Sequence, residues 1–85
     1  MKELLETNSY KLLGDDNEIL AEIDFPFTEE NVIEITHTIV SPSLQGQGIA
    51  KKLVEKVLQL AKEKGYKVTA SCSYAKHYLE KNGIE

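Results

Sequence analysis

The hydrophobic period of this chain changes once, and abruptly. Up to Val40 the apolar residues alternate or run in β-branched stretches, as in Val32-Ile-Glu-Ile-Thr-His-Thr-Ile-Val40. From Ile49 they recur every three or four positions: Ile49, Ala50, Leu53, Val54, Val57, Leu58, Leu60 and Ala61 form one stripe, with lysines and glutamates opposite. Between the two regimes lies Ser41-Pro42-Ser43-Leu44-Gln45-Gly46-Gln47-Gly48-Ile49-Ala50. A strand, a glycine-rich turn and a helix start therefore meet at one point. Such a junction aims backbone N–H groups and the positive end of a helix dipole at one spot. Glycines there let an anion approach the main chain with no Cβ in the way. A phosphate-bearing ligand is the natural guest.

The rest of the chain reads as a frame for that junction. Ser9–Leu13 and Glu18–Phe25 are predicted strands around the turn Gly14-Asp15-Asp16-Asn17. Pro26–Asn31 reads as a second turn, followed by one strand from Val32 to Val40. Lys2–Thr7 fits either an edge strand or a frayed end. The helix from Ile49 runs to Lys64 and stops at Gly65. Tyr66–Ser71 is a short strand, and Ala75–Lys81 is helical. A strand–helix–strand unit implies a right-handed crossover, with Val32–Val40 parallel to Tyr66–Ser71. The expected fold is α+β: a mixed sheet of about four strands, an antiparallel meander plus a parallel βαβ crossover, with two helices.

At 85 residues the chain makes one small domain spanning 1–85. Acids outnumber bases by 14 to 10, which speaks against a nucleic-acid partner. The apolar runs fall far short of the ~20 residues a membrane helix needs. Acids occupy the N-terminus where a signal peptide would be apolar. Cys72 is the sole cysteine, so no intrachain disulfide and no cysteine-based metal cluster is expected, and a reduced cytoplasmic setting fits best.

The glycine turn excludes two nucleotide motifs. A dinucleotide fingerprint needs a third glycine where Lys51 stands, and a P-loop needs Gly-Lys-Ser/Thr. A tight loop whose glycines merely turn the chain is the plain alternative. A third pattern does fit: Gln45-x-x-Gly48-x-Ala50, after a strand and before a long amphipathic helix. Here the chain resembles the GNAT superfamily of acetyl-CoA-dependent N-acetyltransferases, and more closely its short single-domain subgroup. The signature covers roughly residues 18 to 82. It comprises His37-Thr38, Val40-x-Pro42, the glycine turn and Cys72-Ser73-Tyr74.

The resemblance implies a role for each matching position. Backbone N–H groups around Gln45, Gly46, Gln47, Gly48 and Ala50 would hold the coenzyme A pyrophosphate where Ile49 opens the helix. Ile39 and Val40 would pair with the pantetheine arm like an added strand, and Tyr74 could line the thioester pocket. Lys51 and Lys52 offer independent support. Cations in a first helical turn oppose the dipole at about 0.3–1 kcal/mol each, a penalty that a bound anion reverses. Solvated surface lysines are the plain reading of the same pair.

Cys72 falls where the second parallel strand ends and a helix begins, a place that can lower a thiol pKa. Larger superfamily members carry in the following helix a tyrosine that protonates the departing thiolate. In this chain Leu79 falls at that position, and Tyr78 lies about 100° round the helix from it. That raises the standing of Cys72, though a buried inert thiol is the ordinary alternative. His37 shares the odd face of its strand with Ile33, Ile35 and Ile39, where a hydrogen-bonded core histidine is the common case. Parallel pairing could also bring it to Cys72 as nucleophile and base. Two chemistries follow: an amine attacks acetyl-CoA directly, or Cys72 takes the acetyl group first. His77 reads as a surface residue, and Tyr74 and Tyr78 as packing on one helical face.

The expectation is an acetyl-CoA-binding N-acetyltransferase acting on an amine, with Cys72 and His37 as catalytic candidates. Its rival is a non-catalytic acyl-CoA-binding or sensing module. The acidic balance favours a cationic acceptor, held in an open cleft or completed by a second subunit in a homodimer.

Overall fold

A computed structural model describes residues 1–83. In chain order it contains β1 (Lys2–Leu5), β2 (Ser9–Leu13), β3 (Ile19–Asp24), β4 (Phe27–Glu29), β5 (Val32–Ile35) and β6 (His37–Val40). A 3₁₀ turn (Pro42–Leu44) leads to α1 (Ile49–Lys64), β7 (Lys67–Ala70) and α2 (Ser73–Lys81). The mixed α+β class holds, with an antiparallel meander, a parallel crossover and two helices, but the single sheet of about four strands is replaced by seven strands in two sheets among the described residues. The N-terminal residues resolve their ambiguity as an edge strand, with Leu4 opposite Lys11.

The strands form two sheets, β1-β2-β3-β6 and β4-β5-β7, of which only β5–β7 is a parallel pair. The run read as one strand from Val32 to Val40 is therefore two. Its first half pairs with β7, with Ile35 opposite Ala70, and its second half pairs with β3, with His37 opposite Asp24. The cause is a bulge at Thr36. Phe27 faces Ile33, and Asp24 faces His37, so four steps on one strand match three on the other. The Thr36 N–H also donates to the Asp24 carbonyl at 3.0 Å. An inserted residue bends its strand and reverses the side-chain alternation beyond it. Asn31, in the left-handed region at φ 61°, closes the short β4–β5 hairpin that sequence had read as plain turn.

One face of the sheets is dry. Ala21, Ile23 and Phe25 on the β3 side and Ile33 and Ile35 of β5 pack under Ile49, Leu53, Val54, Val57 and Ala61 of α1. This is the buried edge of the stripe expected from Ile49 on; Ala50, Leu58 and Leu60 are half-buried on its flanks. Gly65, at φ 74°, ends α1, with the Tyr66 N–H returning to the Ala61 carbonyl at 2.8 Å. From α2, which packs against β7, Ala75 and Leu79 are buried. Alternation sends Glu22, Asp24 and Glu34 to the opposite face, which no helix covers among the described residues.

Candidate acyl-transfer site

The bulge at Thr36 opens a gap in the sheet. The N–H groups of Ser71 and Cys72 both reach the Ile35 carbonyl, at 3.0 and 3.1 Å, the last bonds tying β7 to β5. Beyond them β6 turns to β3 and its other edge has no strand partner among the described residues. The Ser41 N–H donates to Leu20 at 2.7 Å. Antiparallel alternation then directs the main chains of Ile39 and His37 to β3, and those of Thr38 and Val40 into the gap.

Cys72 sits at the far side of this gap as the N-cap of α2, its carbonyl accepting from Lys76 N–H at 2.8 Å. Its half-buried Sγ lies 3.6 Å from the Thr38 hydroxyl. Burial alone would push the thiol up. The Ala75 N–H, the Thr38 hydroxyl and the N–H groups of Tyr74 and Thr38 outweigh it and hold the thiol below its ordinary value. The helix amides do not form a strict capping bond to the sulfur; their dipoles, aimed at it from the first turn, favour the thiolate.

His37 is not where sequence alternation put it. Past the bulge its ring stands on the uncovered face, 69% exposed, 3.2 Å from the Thr36 hydroxyl and 3.9 Å from an Asp24 carboxylate oxygen. Thr38, one residue on and on the opposite face, takes the position against Cys72 instead. The expected approach of His37 to the thiol through parallel pairing therefore fails, because β6 leaves β7 before His37 is reached. Ile39 goes the same way, 57% exposed and opposite Glu22. The family's tyrosine position, Leu79, is fully buried, and the Tyr78 hydroxyl is turned toward Glu55 of α1. Neither supplies a hydroxyl to the gap.

The glycine turn lies beside the gap. Ser41 caps the 3₁₀ turn, with Leu44 N–H donating to its carbonyl at 2.9 Å. Gly46 and Gly48 then adopt φ 83° and 71°, a region that disfavours any side chain. Nothing lies within 4 Å of where a Cβ would stand on either. Backbone geometry, not crowding inside the protein, demands the glycines, and space is left above them. Gly48 caps α1 with no side-chain bond, and the first helical return is Lys52 N–H to Gly48 at 3.2 Å. The leading N–H groups of α1 thus have no intrahelical acceptor, and no acid stands in its first turn.

These parts surround one hollow of about 160 Å³, lined by Val40, Leu44, Gln45, Gly46, Gly48, Ile49, Ala50, Lys51 and Tyr74. Gln47 is exposed on the turn and Ile39 faces away; neither lines it. Leu44 in this hollow and Thr38 against Cys72 are the residues that sequence reasoning missed. Thr38 was legible only as half of His37-Thr38, since no pattern marks the bulge that exchanges their faces. An anion fits this hollow by the chemistry of its donors: unpartnered helix-start amides, the lining Lys51 and no carboxylate among the described residues that line it.

Comparison with known proteins agrees with this geometry. A GCN5-like N-acetyltransferase homologue from Staphylococcus aureus, solved in solution, is 44% identical, superposes with a TM-score of 0.79, and is matched over 95% of this chain and 79% of its own. A streptothricin acetyltransferase homologue from Bacillus anthracis, solved with acetyl coenzyme A, shares the fold at 22% identity and a TM-score of 0.64, over 88% of this chain and 47% of its own. Protein NATD1 of Homo sapiens is 28% identical over 60 residues, 71% of this chain, and the chain spans about half of that relative's length (53%). The model of the GCN5-related N-acetyltransferases matches residues 9–84, and the chain belongs to that family.

Proposed function

We propose that this chain binds acetyl-CoA at the glycine turn and transfers the acetyl group to a cationic amine by way of Cys72. One observation carries the reading: the anion-suited hollow at the start of α1 and the thiol at the start of α2 flank the same gap between β6 and β7. The pyrophosphate would take the free amides at Gly48–Lys51. The pantetheine arm would run along the open edge of β6, bonding the main chains of Thr38 and Val40, toward Cys72.

The thiolate attacks the thioester carbonyl, the acetyl carbon–sulfur bond breaks, and coenzyme A leaves as the thiolate. The amine then attacks the acetylated Cys72, forming an amide and returning the thiolate. His37 serves from the other face. With Asp24 beside it, its ring takes, directly or through water, the proton that the cationic amine sheds to become a nucleophile, and the second proton, lost as the amide forms, passes to water. Glu22, Asp24 and Glu34 make that face acidic, which favours a cationic acceptor. A second subunit could complete the acceptor side in a homodimer, and the single free thiol suits a reduced cytoplasmic setting.

Calorimetric titration with acetyl-CoA tests the first half. Saturable one-to-one binding that is lost in Gly48→Glu is expected; no heat and no competition at millimolar ligand would end the coenzyme reading. Mass spectrometry after incubation with acetyl-CoA tests the second half. An acetyl adduct on Cys72 is expected, with Cys72→Ala binding normally but not turning over. Turnover retained in Cys72→Ala would leave direct attack by the amine. Binding with no turnover in either form would favour the sensing module.

A further inference from the structure

A second hollow, of about 320 Å³, adjoins the first, and Lys51 and Tyr74 line both. Its remaining walls are His77, Tyr78, Lys81 and Asn82. Tyr74, His77, Tyr78 and Lys81 follow an i, i+3, i+4, i+7 spacing, so α2 presents one stripe of its surface to Lys51 on the first turn of α1.

The charges of this stripe are unbalanced. Two ammonium groups and an imidazole converge on one hollow. Among the described residues the ion pairs are Lys11–Glu6 and His37–Asp24, and neither involves this group. The nearby Lys56 has a different partner, lying 5.6 Å over the Tyr10 ring. Glu55 of α1, toward which the Tyr78 hydroxyl turns, and Glu80 of α2 stand on the same two helices, but neither lines the hollow. The Asn82 amide is spent on the Tyr78 carbonyl at 2.8 Å. A C-terminal Lys81 suits the dipole of α2. Lys51 has no such reason, because it stands at the positive end of α1. Cations gathered around a cavity against the local dipole are stabilised by an anion placed among them.

Resting on the coenzyme reading above, we infer that this hollow receives the 3′-phosphate of coenzyme A. Lys51, His77 and Lys81 would be its partners, and the chain would thereby select the 3′-phosphorylated coenzyme over its 3′-dephospho form. Coenzyme A carries two anionic centres, the pyrophosphate and the adenosine 3′-phosphate. With the pyrophosphate on the leading amides of α1 and the pantetheine arm directed to Cys72, the adenosine must leave on the other side. The way out passes Lys51, the residue common to both hollows. The exposed ring of Tyr74 then offers the adenine a face to stack on.

Titration calorimetry with acetyl-CoA and with acetyl-3′-dephospho-CoA decides the matter. The wild type is expected to bind the dephospho form about tenfold more weakly, the scale of one charge-assisted contact. Lys81→Gln and His77→Gln should each lose affinity for acetyl-CoA while holding the dephospho form nearly unchanged, so that the two affinities converge. Added salt should narrow the wild-type gap as well. Equal, saturable binding of both forms by the wild type would overturn this inference and leave the coenzyme reading intact. So would a gap that persists in both variants. Binding of neither form would remove the coenzyme reading itself.

Discussion

β5 and β6 come from nine consecutive residues of nearly uniform β-branched character, and they do opposite things. Strand β5 is a two-sided interior strand, paired to β4 and β7, with Ile33 and Ile35 in the core. Among the described residues strand β6 has a partner on one edge only; it exposes His37 and Ile39 and turns Thr38 toward the thiol. A single inserted residue, Thr36, separates a structural strand from one with a free edge. The lesson is that a bulge can build a site without any unusual residue, by withdrawing hydrogen-bond partners from one stretch of main chain.

The sharpest contrast is between two isoleucines four positions apart. Ile35→Ala should cost about 2–5 kcal/mol of stability, the range for emptying a closed core position. Ile39→Ala should stay within about 0.5 kcal/mol, as an exposed substitution does. Chemical denaturation of the two variants checks this. Comparable losses would mean that the strand continues through Thr36 with its alternation intact.

How much of this was open to reading follows the same division. The glycine turn, both helices and the parallel crossover are written in local patterns, because periodicity and glycine placement act within a few residues. Eight of the ten residues proposed for coenzyme binding line one hollow, and all but Val40 and Tyr74 of those eight belong to that local junction. The place of His37 was not legible. Its alternation with Ile33, Ile35 and Ile39 is perfect in sequence and reverses in the fold at a threonine that carries no bulge signal. The short β4 strand was hidden for a related reason. Phe27-Thr-Glu29 is too brief to show a period, and its pairing with β5 is a tertiary fact.

At the turn, Gly48→Ala should cost about 1–2 kcal/mol, the price of an L side chain at φ 71°. It should do so without any clash, since nothing stands near the new Cβ. Gly46→Ala is expected to behave alike. A negligible thermal shift in both would mean that the turn tolerates another backbone path, which would weaken its role as a preformed cradle.

Thr38 and His37 offer a finer division across the two faces. Cys72 alkylation by iodoacetamide follows the thiolate, so its rate should rise with pH through a midpoint below that of an ordinary thiol. Thr38→Val removes the hydroxyl donor and should move that midpoint upward, at a stability cost of about 1 kcal/mol. His37→Gln should leave the midpoint where it is, because the ring stands on the other face. A shift caused by His37→Gln alone would reverse the assignment of the two residues.

The smallest effect lies on the acidic face and tests whether its charges are held there against their own repulsion. Glu22 and Asp24 share one side of β3, and the contact with Asp24, followed by burial, pushes the Glu22 carboxyl up. A raised folded-state pKa means that the native chain binds this proton more tightly than the unfolded chain. Its stabilisation is therefore fully present below the ordinary carboxylate range and is lost as pH rises through the folded value. At neutral pH the pair is a net repulsion, partly relieved by Lys11. Glu22→Gln should thus raise neutral-pH stability by about 0.5 kcal/mol, the scale of a like-charge cross-strand contact. The gain should vanish once both carboxyls are protonated. A variant less stable than wild type at neutral pH would show that Lys11 governs this cluster rather than Asp24. The face would then be a balanced surface, with no stored demand for a cation.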